Sequence, residues 1–214
     1  MKRWMVVDGL DGSGKSTVAG WIKEYYEARG DSVHVQVHPS DRRAGRISRR
    51  ALQERGPVMF IISTAFYVLD VLISVAKTRT EFRKYDDLIF VRYLMGTAYL
   101  PKRFARQGYE VFAKVLPVPE RLLLVDIDPE NALHRIARRE DREEMFENLP
   151  SLTKCREKIL MLSDGWRVLD NNRDPSVTRR MLNEQLETWD RKFGAVDNNK
   201  GSGPASTEGD RASE

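Results

Sequence analysis

The spacing of apolar residues changes several times along the chain, and each change marks an element. Residues 4–7, Trp-Met-Val-Val, form the short continuous apolar run of a strand buried on both faces, and the run stops at Asp8-Gly9. From about 15 to 29 apolar residues recur at helical spacing until Gly30, and 32–37 (Ser-Val-His-Val-Gln-Val) then alternate with period two and end before Pro39. Strand, helix and strand in this order imply a parallel crossover. A short basic helix is predicted over about 42–53, closed by Gly56-Pro57, and a long apolar helix over about 58–84. Residues 87–91 read as a third strand, with Arg92 at its carboxyl end, the edge where open parallel sheets hold ligands.

Helical spacing over about 94–113, broken near Pro101 or Gly108, leads to Pro117-Val118-Pro119 and a fourth buried strand at 121–127. Asp128 and Pro129 have the chemistry of an N-cap and first helical position. Residues 135–147 are mostly charged. A helix over 149–162, a short fifth strand at 166–169 and an amphipathic helix over about 175–193 complete the pattern. From Gly194 to Glu214 there is almost nothing apolar, which predicts a disordered tail. The expected organisation is one α/β domain over 1–193, with a charged lid at about 135–148, and a tail over 194–214.

Charge and composition narrow the chemistry. Lys and Arg number 36 against 32 Asp and Glu, and the resulting +4 is spread along the 214 residues rather than gathered into a basic arm. This favours anionic small molecules over nucleic acid as partners. A single cysteine, Cys155, excludes an internal disulfide, and no Cys/His cluster stands at zinc spacing, so a cytoplasmic protein is expected. Residues 58–76 are long and apolar enough to span a bilayer, but they contain Asp70, and a carboxylate in lipid costs about 2.5 to 3.5 kcal/mol on insertion scales. The stretch is therefore read as a buried helix, with no membrane partner. His34, His38 and His134 share no catalytic spacing, and Cys155 is read as packing.

Candidate chemistry sits where the first strand meets the first helix. Gly9-Leu10-Asp11-Gly12-Ser13-Gly14-Lys15-Ser16 fits G-x-x-x-x-G-K-[ST] at every fixed position, followed by Thr17. Glycines let successive N–H groups turn inward around phosphate oxygens at the positive end of the following helix. Lys15 then reaches the β/γ-phosphates of a nucleotide, and Ser16 offers an oxygen to Mg²⁺.

Five strands alternating with helices, this loop, the Arg92-Tyr93 pair followed by Thr97-Ala98-Tyr99, the strand and turn LLLVDIDPENALHRIARR and the charged Glu144-Met145-Phe146-Glu147 together resemble the nucleoside monophosphate kinases, and within them the thymidylate kinase family. The resemblance runs from Trp4 to about Leu186. It implies the P-loop NTPase fold, a five-stranded parallel sheet between helices in three layers with a lid after the fourth strand. It also implies an ATP·Mg²⁺ donor site over Gly9 to Thr17 and a nucleoside monophosphate acceptor site meeting it.

By that resemblance Asp11 contacts the acceptor sugar, and Arg92 clamps the acceptor phosphate near Thr97 and Tyr99. Arg138, Arg139 and Arg142, which share a helical face with Arg135, supply lid cations. Counted back from Arg92, Phe66 falls where the family stacks a phenylalanine on the acceptor base. Asp70, one turn later, falls where the family has an arginine. The family also pairs through its long helices, so a homodimer is implied, although core burial would explain residues 58–76 equally well.

Three departures gather on the acceptor side. Val91 stands where the family has an aspartate before its arginine, leaving Asp8 or Asp126 as substitute metal carboxylates. Asp70 replaces a cation, and either Arg92 or an arginine of the 42–50 run could pair with it. His38-Pro39-Ser40 lacks the family's Arg-Glu-Pro pattern. The expected activity is transfer of the γ-phosphoryl of ATP to a nucleoside monophosphate, dTMP first. The alternatives are another phosphorylated or hydroxyl-bearing acceptor, or a nucleotide-binding regulator without transfer.

Overall fold

The computed structural model describes residues 3–54, 56–138 and 148–200, the stretch 194–200 by backbone alone. Among them the chain order is β1 (Arg3–Gly9), α1 (Lys15–Glu27), β2 (Val33–Val37), α2 (Arg43–Leu52), α3 (Pro57–Thr78), β3 (Asp87–Val91), α4 (Lys102–Val115), β4 (Arg121–Asp126), α5 (Pro129–Ala137), α6 (Leu149–Leu162), β5 (Arg167–Asp170) and α7 (Pro175–Lys200). All strand pairs are parallel and the order is β2-β3-β1-β4-β5, which makes β1 the central strand.

That position explains the unbroken apolar run of β1. Successive side chains point to opposite faces, so both must meet a core. Val6, Phe90 and Leu124 face one layer with Val71 of α3, Ala132 of α5 and Leu152 and Ile159 of α6. Met5, Val7, Ile89 and Leu123 face the other with Val18 and Ile22 of α1 and Leu182 and Leu186 of α7. The result is the expected three-layer α/β domain. Cys155 is buried, and burial pushes its thiol up to about 12, as suits a packing residue.

Several boundaries shift for local reasons. The long apolar helix ends at Thr78 and is followed by a separate 3-10 turn, Glu81–Lys84. The break in the 94–113 stretch falls at Pro101: a 3-10 turn covers Met95–Tyr99, and Pro101 precedes α4 as its cap residue. Asp128 occupies the cap position of α5 without a side-chain cap bond, because its carboxylate pairs with Arg156 at 2.9 Å. The last helix continues to Lys200, beyond the expected end at Phe193, and the remaining tail, 201–214, lies outside the described residues.

The reading of α3 as buried is corrected. Ser63, Asp70, Val71 and Ser74 turn inward, while Val58 and Ile61 are 63% and 65% exposed and Leu69 and Leu72 also face outward. This helix is apolar on both faces, and only one meets the core.

Asp70 is fully buried and belongs to a polar staple between α3 and the loop after β2. It accepts from Ser40 N at 2.7 Å, Ser40 Oγ at 2.6 Å and Arg42 Nε at 3.0 Å. Its partner is therefore Arg42, not Arg92. Beside it, buried His38 meets Ser74 Oγ through Nε2 at 2.8 Å and the Val91 carbonyl through Nδ1 at 3.3 Å. Burial is the main cause of a His38 pKa drawn from the ordinary 6.5 down to about 4, against the upward pull of Asp70.

Two outcomes follow from this staple. Asp70→Ala strands Ser40 and Arg42 without their acceptor and is expected to cost about 2 kcal/mol in urea unfolding. As pH falls below 6.5 the unfolded chain takes up a proton that folded His38 refuses until about 4. Unfolding free energy therefore declines across that window, and the same titration of His38→Gln lacks that component.

Candidate active site

The phosphate loop leaves the carboxyl end of the central strand and enters α1. At Gly9, φ is +147° and a Cβ would stand 2.3 Å from the Val125 carbonyl oxygen of β4. At Gly12, φ is +78° and a Cβ would stand 2.5 Å from the Ala132 carbonyl oxygen of α5. Both glycines are thus required by close approach as well as by backbone conformation. Lys15 is buried and its ammonium donates to the carbonyls of Gly9 at 3.0 Å and Leu10 at 2.6 Å. Ser16 and Thr17 are exposed at the first turn of α1, where the helix N–H groups open outward. The loop is seated from behind by Asn171, whose Nδ2 donates to Ser13 O at 2.6 Å, and Arg135 donates to Asn171 O at 2.9 Å.

Beside the loop lies a cleft. Its floor is Asp8, Gly9, Asp11 and Arg92 at the sheet edge, with Met95, Gly96 and Tyr99 along one side. Its outer walls are Ser48, Arg49 and Leu52 of α2 and Phe60, Ser63, Thr64 and Tyr67 of α3. The α3 residues recur at spacings of three, four and seven, the signature of a single helix face.

Asp11 joins loop and cleft. Its carboxylate accepts from Arg92 and from the Tyr99 hydroxyl and lies 3.7 Å from the Lys15 ammonium. Burial works to raise its pKa, but the charges of Arg92 and Lys15, with the bonds from Tyr99 and Arg92, outweigh that and hold it well below the usual carboxylate range. In this structure Asp11 holds the Arg92 guanidinium.

Arg92 has φ +60°, the one described non-glycine residue with positive φ. Left-handed backbone costs a side-chain-bearing residue about 1 to 2 kcal/mol, so its surroundings must impose it. Arg92 N–H donates to Val7 O at 3.2 Å, and its carbonyl accepts from Tyr67 Oη at 2.9 Å. The next three amides, of Tyr93, Leu94 and Met95, all donate to Asp8 Oδ2 at 2.9, 2.9 and 3.1 Å. Burial raises the Asp8 pKa, and these three amides oppose the rise.

Other expected residues are placed differently. Phe66 is not among the cleft residues, because one position along a helix is a turn of about 100° and the aromatics that reach the cleft are Phe60 and Tyr67. Asp70 is held beneath the cleft by Ser40 and Arg42 and does not line it. Thr97 is buried and donates to Leu94 O, closing its own turn. Arg138 is exposed at the end of α5, while Arg139 and Arg142 lie outside the described residues. Neither substitute metal carboxylate stands free: Asp8 caps three amides, and Asp126 takes Arg156 at 2.9 and 2.8 Å. Among the described residues no group of three His, Cys, Asp or Glu could hold a metal.

The model of the thymidylate kinase family matches residues 7–181, which takes in the loop, Arg92, Tyr99 and most of the sheet. The chain belongs to the thymidylate kinase family. The probable thymidylate kinase of Archaeoglobus fulgidus is 27% identical over 171 residues, covering 77% of this chain and 84% of its own. The thymidylate kinase of Akkermansia muciniphila is 30% identical over 172 residues, covering 77% and 81%. A solved thymidylate kinase structure from Candida albicans aligns with a TM-score of 0.67 over 89% of this chain and 92% of that one, at 18% identity, which is agreement of fold.

Membership of the thymidylate kinase family makes the chain an ATP-using phosphotransferase. Sequence reasoning missed Asp8 as an amide cap, Tyr67, Arg49 and Asn171. Of these only Tyr67 had a legible signal, its place on one helical face with Phe60, Ser63 and Thr64. Gly9→Ala tests the loop: a methyl group pressed against Val125 O is expected to cost about 3 kcal/mol or more, and thermal unfolding of the variant should show it.

Proposed function

We propose that the chain transfers the γ-phosphoryl group of ATP to dTMP, giving ADP and dTDP. The observation that carries this reading is the Arg92–Asp11 ion pair, because it makes one wall common to the phosphate loop and the cleft. A group bound in the loop and one bound against Arg92 would meet at that wall.

The inward N–H groups of the loop cradle the β-phosphate, and Lys15 exchanges its carbonyl partners for β/γ oxygens. Arg92 holds the acceptor phosphate through its planar fork. One oxygen of that phosphate attacks the γ-phosphorus in line, the bond to the β,γ-bridging oxygen breaks, and ADP leaves with the bond's electron pair. A phosphate dianion is already deprotonated near neutral pH, so no general base is required, consistent with Asp8 spending its carboxylate on backbone amides. Arg138, with Arg139 and Arg142 of the lid, adds positive charge over the transferred group.

The donor set fits Mg²⁺ modestly. Ser16 presents an exposed hydroxyl at the helix start, and this ion is commonly held by few protein oxygens together with substrate phosphates and water. Bound there, it would supply positive charge to the β/γ oxygens.

The cleft walls also fit a nucleotide. Tyr67, Phe60 and Leu52 offer apolar faces to a heterocycle, while Arg49, Ser63 and Thr64 offer polar edges. Coupled assays of ADP formation with dTMP, dUMP, dGMP and dCMP test the reading, dTMP being expected to give the highest kcat/KM. Lys15→Ala should lower kcat about a hundredfold or more with unchanged circular dichroism. ADP formation stimulated by another phosphorylated or hydroxyl-bearing acceptor and not by dTMP would keep the transfer and change the acceptor.

A further inference from the structure

The backbone of Arg92 is pinned from three directions, and none of the pins belongs to the phosphate loop or to the lid. Val7 O takes its N–H from the central strand, Tyr67 Oη reaches its carbonyl from α3, and Asp8 Oδ2 gathers the three amides that follow it. The ring of Tyr67 also packs against the same turn, since a Cβ on Gly96 would stand 3.0 to 3.1 Å from its atoms.

We propose that Asp8 and Tyr67 are positioning residues for the acceptor clamp: together they hold Arg92 in its left-handed conformation and so aim its guanidinium between Asp11 and the cleft. The proposal rests on the reading of Arg92 as the group that takes the acceptor phosphate.

The geometry separates this role from simple packing. An arginine left to relax would move out of positive φ, and its side chain, which leaves from the same Cα, would swing away from Asp11. Both holders act after that Cα, on opposite edges of one peptide: Tyr67 takes the Arg92 oxygen and Asp8 takes the Tyr93 N–H. Tyr67 fixes the peptide after Arg92 through its oxygen, and Asp8 fixes the turn beyond through its N–H groups. Asp8 is 2% exposed, and a carboxylate buried so deeply is matched here by three donors of this turn, with the Lys15 charge adding to them. The register supports the same division of labour: Val7 pairs with Val91, so Asp8 stands one step beyond the last paired position, level with the turn that begins at Arg92.

The test is a double-mutant cycle read on the acceptor. Tyr67→Phe removes the hydroxyl and keeps the ring, so the packing on Gly96 survives. Alone it should lower kcat/KM for dTMP about tenfold while leaving KM for ATP unchanged. In an Arg92→Ala background, assayed at high enzyme concentration, it should lower it no further. Asp8→Asn should behave likewise, and Asp8→Glu, which keeps both carboxylate oxygens, should recover part of the loss. Should Asp8→Asn fail to fold, the Tyr67 cycle stands by itself.

A second readout needs no acceptor. The Arg92 Nη–H resonance of the protein without nucleotide should be shifted by its Asp11 partner in the wild type. In Tyr67→Phe it should move to the solvent-exposed position, with the rest of the spectrum retained. Additive losses in the cycle, an equal rise in KM for ATP, or an unmoved Arg92 resonance would overturn the proposal. A wild-type protein inactive on dTMP would instead refute the assigned acceptor, and the resonance would still decide whether Asp8 and Tyr67 aim Arg92.

Discussion

A single carboxylate oxygen, Asp8 Oδ2, receives three consecutive amides at the end of the central strand, and the active site is arranged around that contact. β1 can offer a side chain there because it lies between β3 and β4, with Val7 level with Val91 on one side and Gly9 level with Val125 on the other. The same register brings the start of the phosphate loop against β4 and the end of β3 against the loop's aspartate. A slip of one residue would reverse the facing of every β1 side chain and separate Asp8 from the turn at 93–95.

The framework was legible because it is written in local patterns. Apolar runs mark the strands, Gly30 and Pro39 punctuate the first crossover, and the spacing of Gly9, Gly14, Lys15 and Ser16 identifies the loop. What escaped depends on contacts far apart in sequence. Asp8 reads as the end of an apolar run until residues 93–95 are brought to it. Asp70 reads as a misplaced charge until Ser40 and Arg42 close over it. Phe66 and Tyr67 differ by one step in the chain, and only a fixed helix orientation tells which reaches the cleft. The exposed side of α3 was equally hidden, since composition reports how apolar a helix is and not which way it turns.

The departures on the acceptor side now have a structural account. Val91 is packed in the core between the strands, so its apolar character serves the sheet. Asp70 secures the loop that carries Pro39 into the cleft wall. With the cation expected on α3 replaced in this way, Arg49 of α2 is the guanidinium on the outer wall, itself bonded to Pro39 O at 2.8 Å. At the sheet edge Lys15, Asp11, Arg92 and Tyr99 form one connected cluster, while Arg49 and the Asp70 staple shape the walls above it.

The lysine of the phosphate loop carries one more implication. Its ammonium bridges the Gly9 and Leu10 carbonyls, so the curved backbone is braced from within. A loop braced in this way meets phosphate oxygens by exchanging the partners of one ammonium, with its curve already set by its own bonds. Little ordering entropy is charged against affinity at this end of the site, and the conformational cost of assembling the complex is left to parts of the chain further from the central strand.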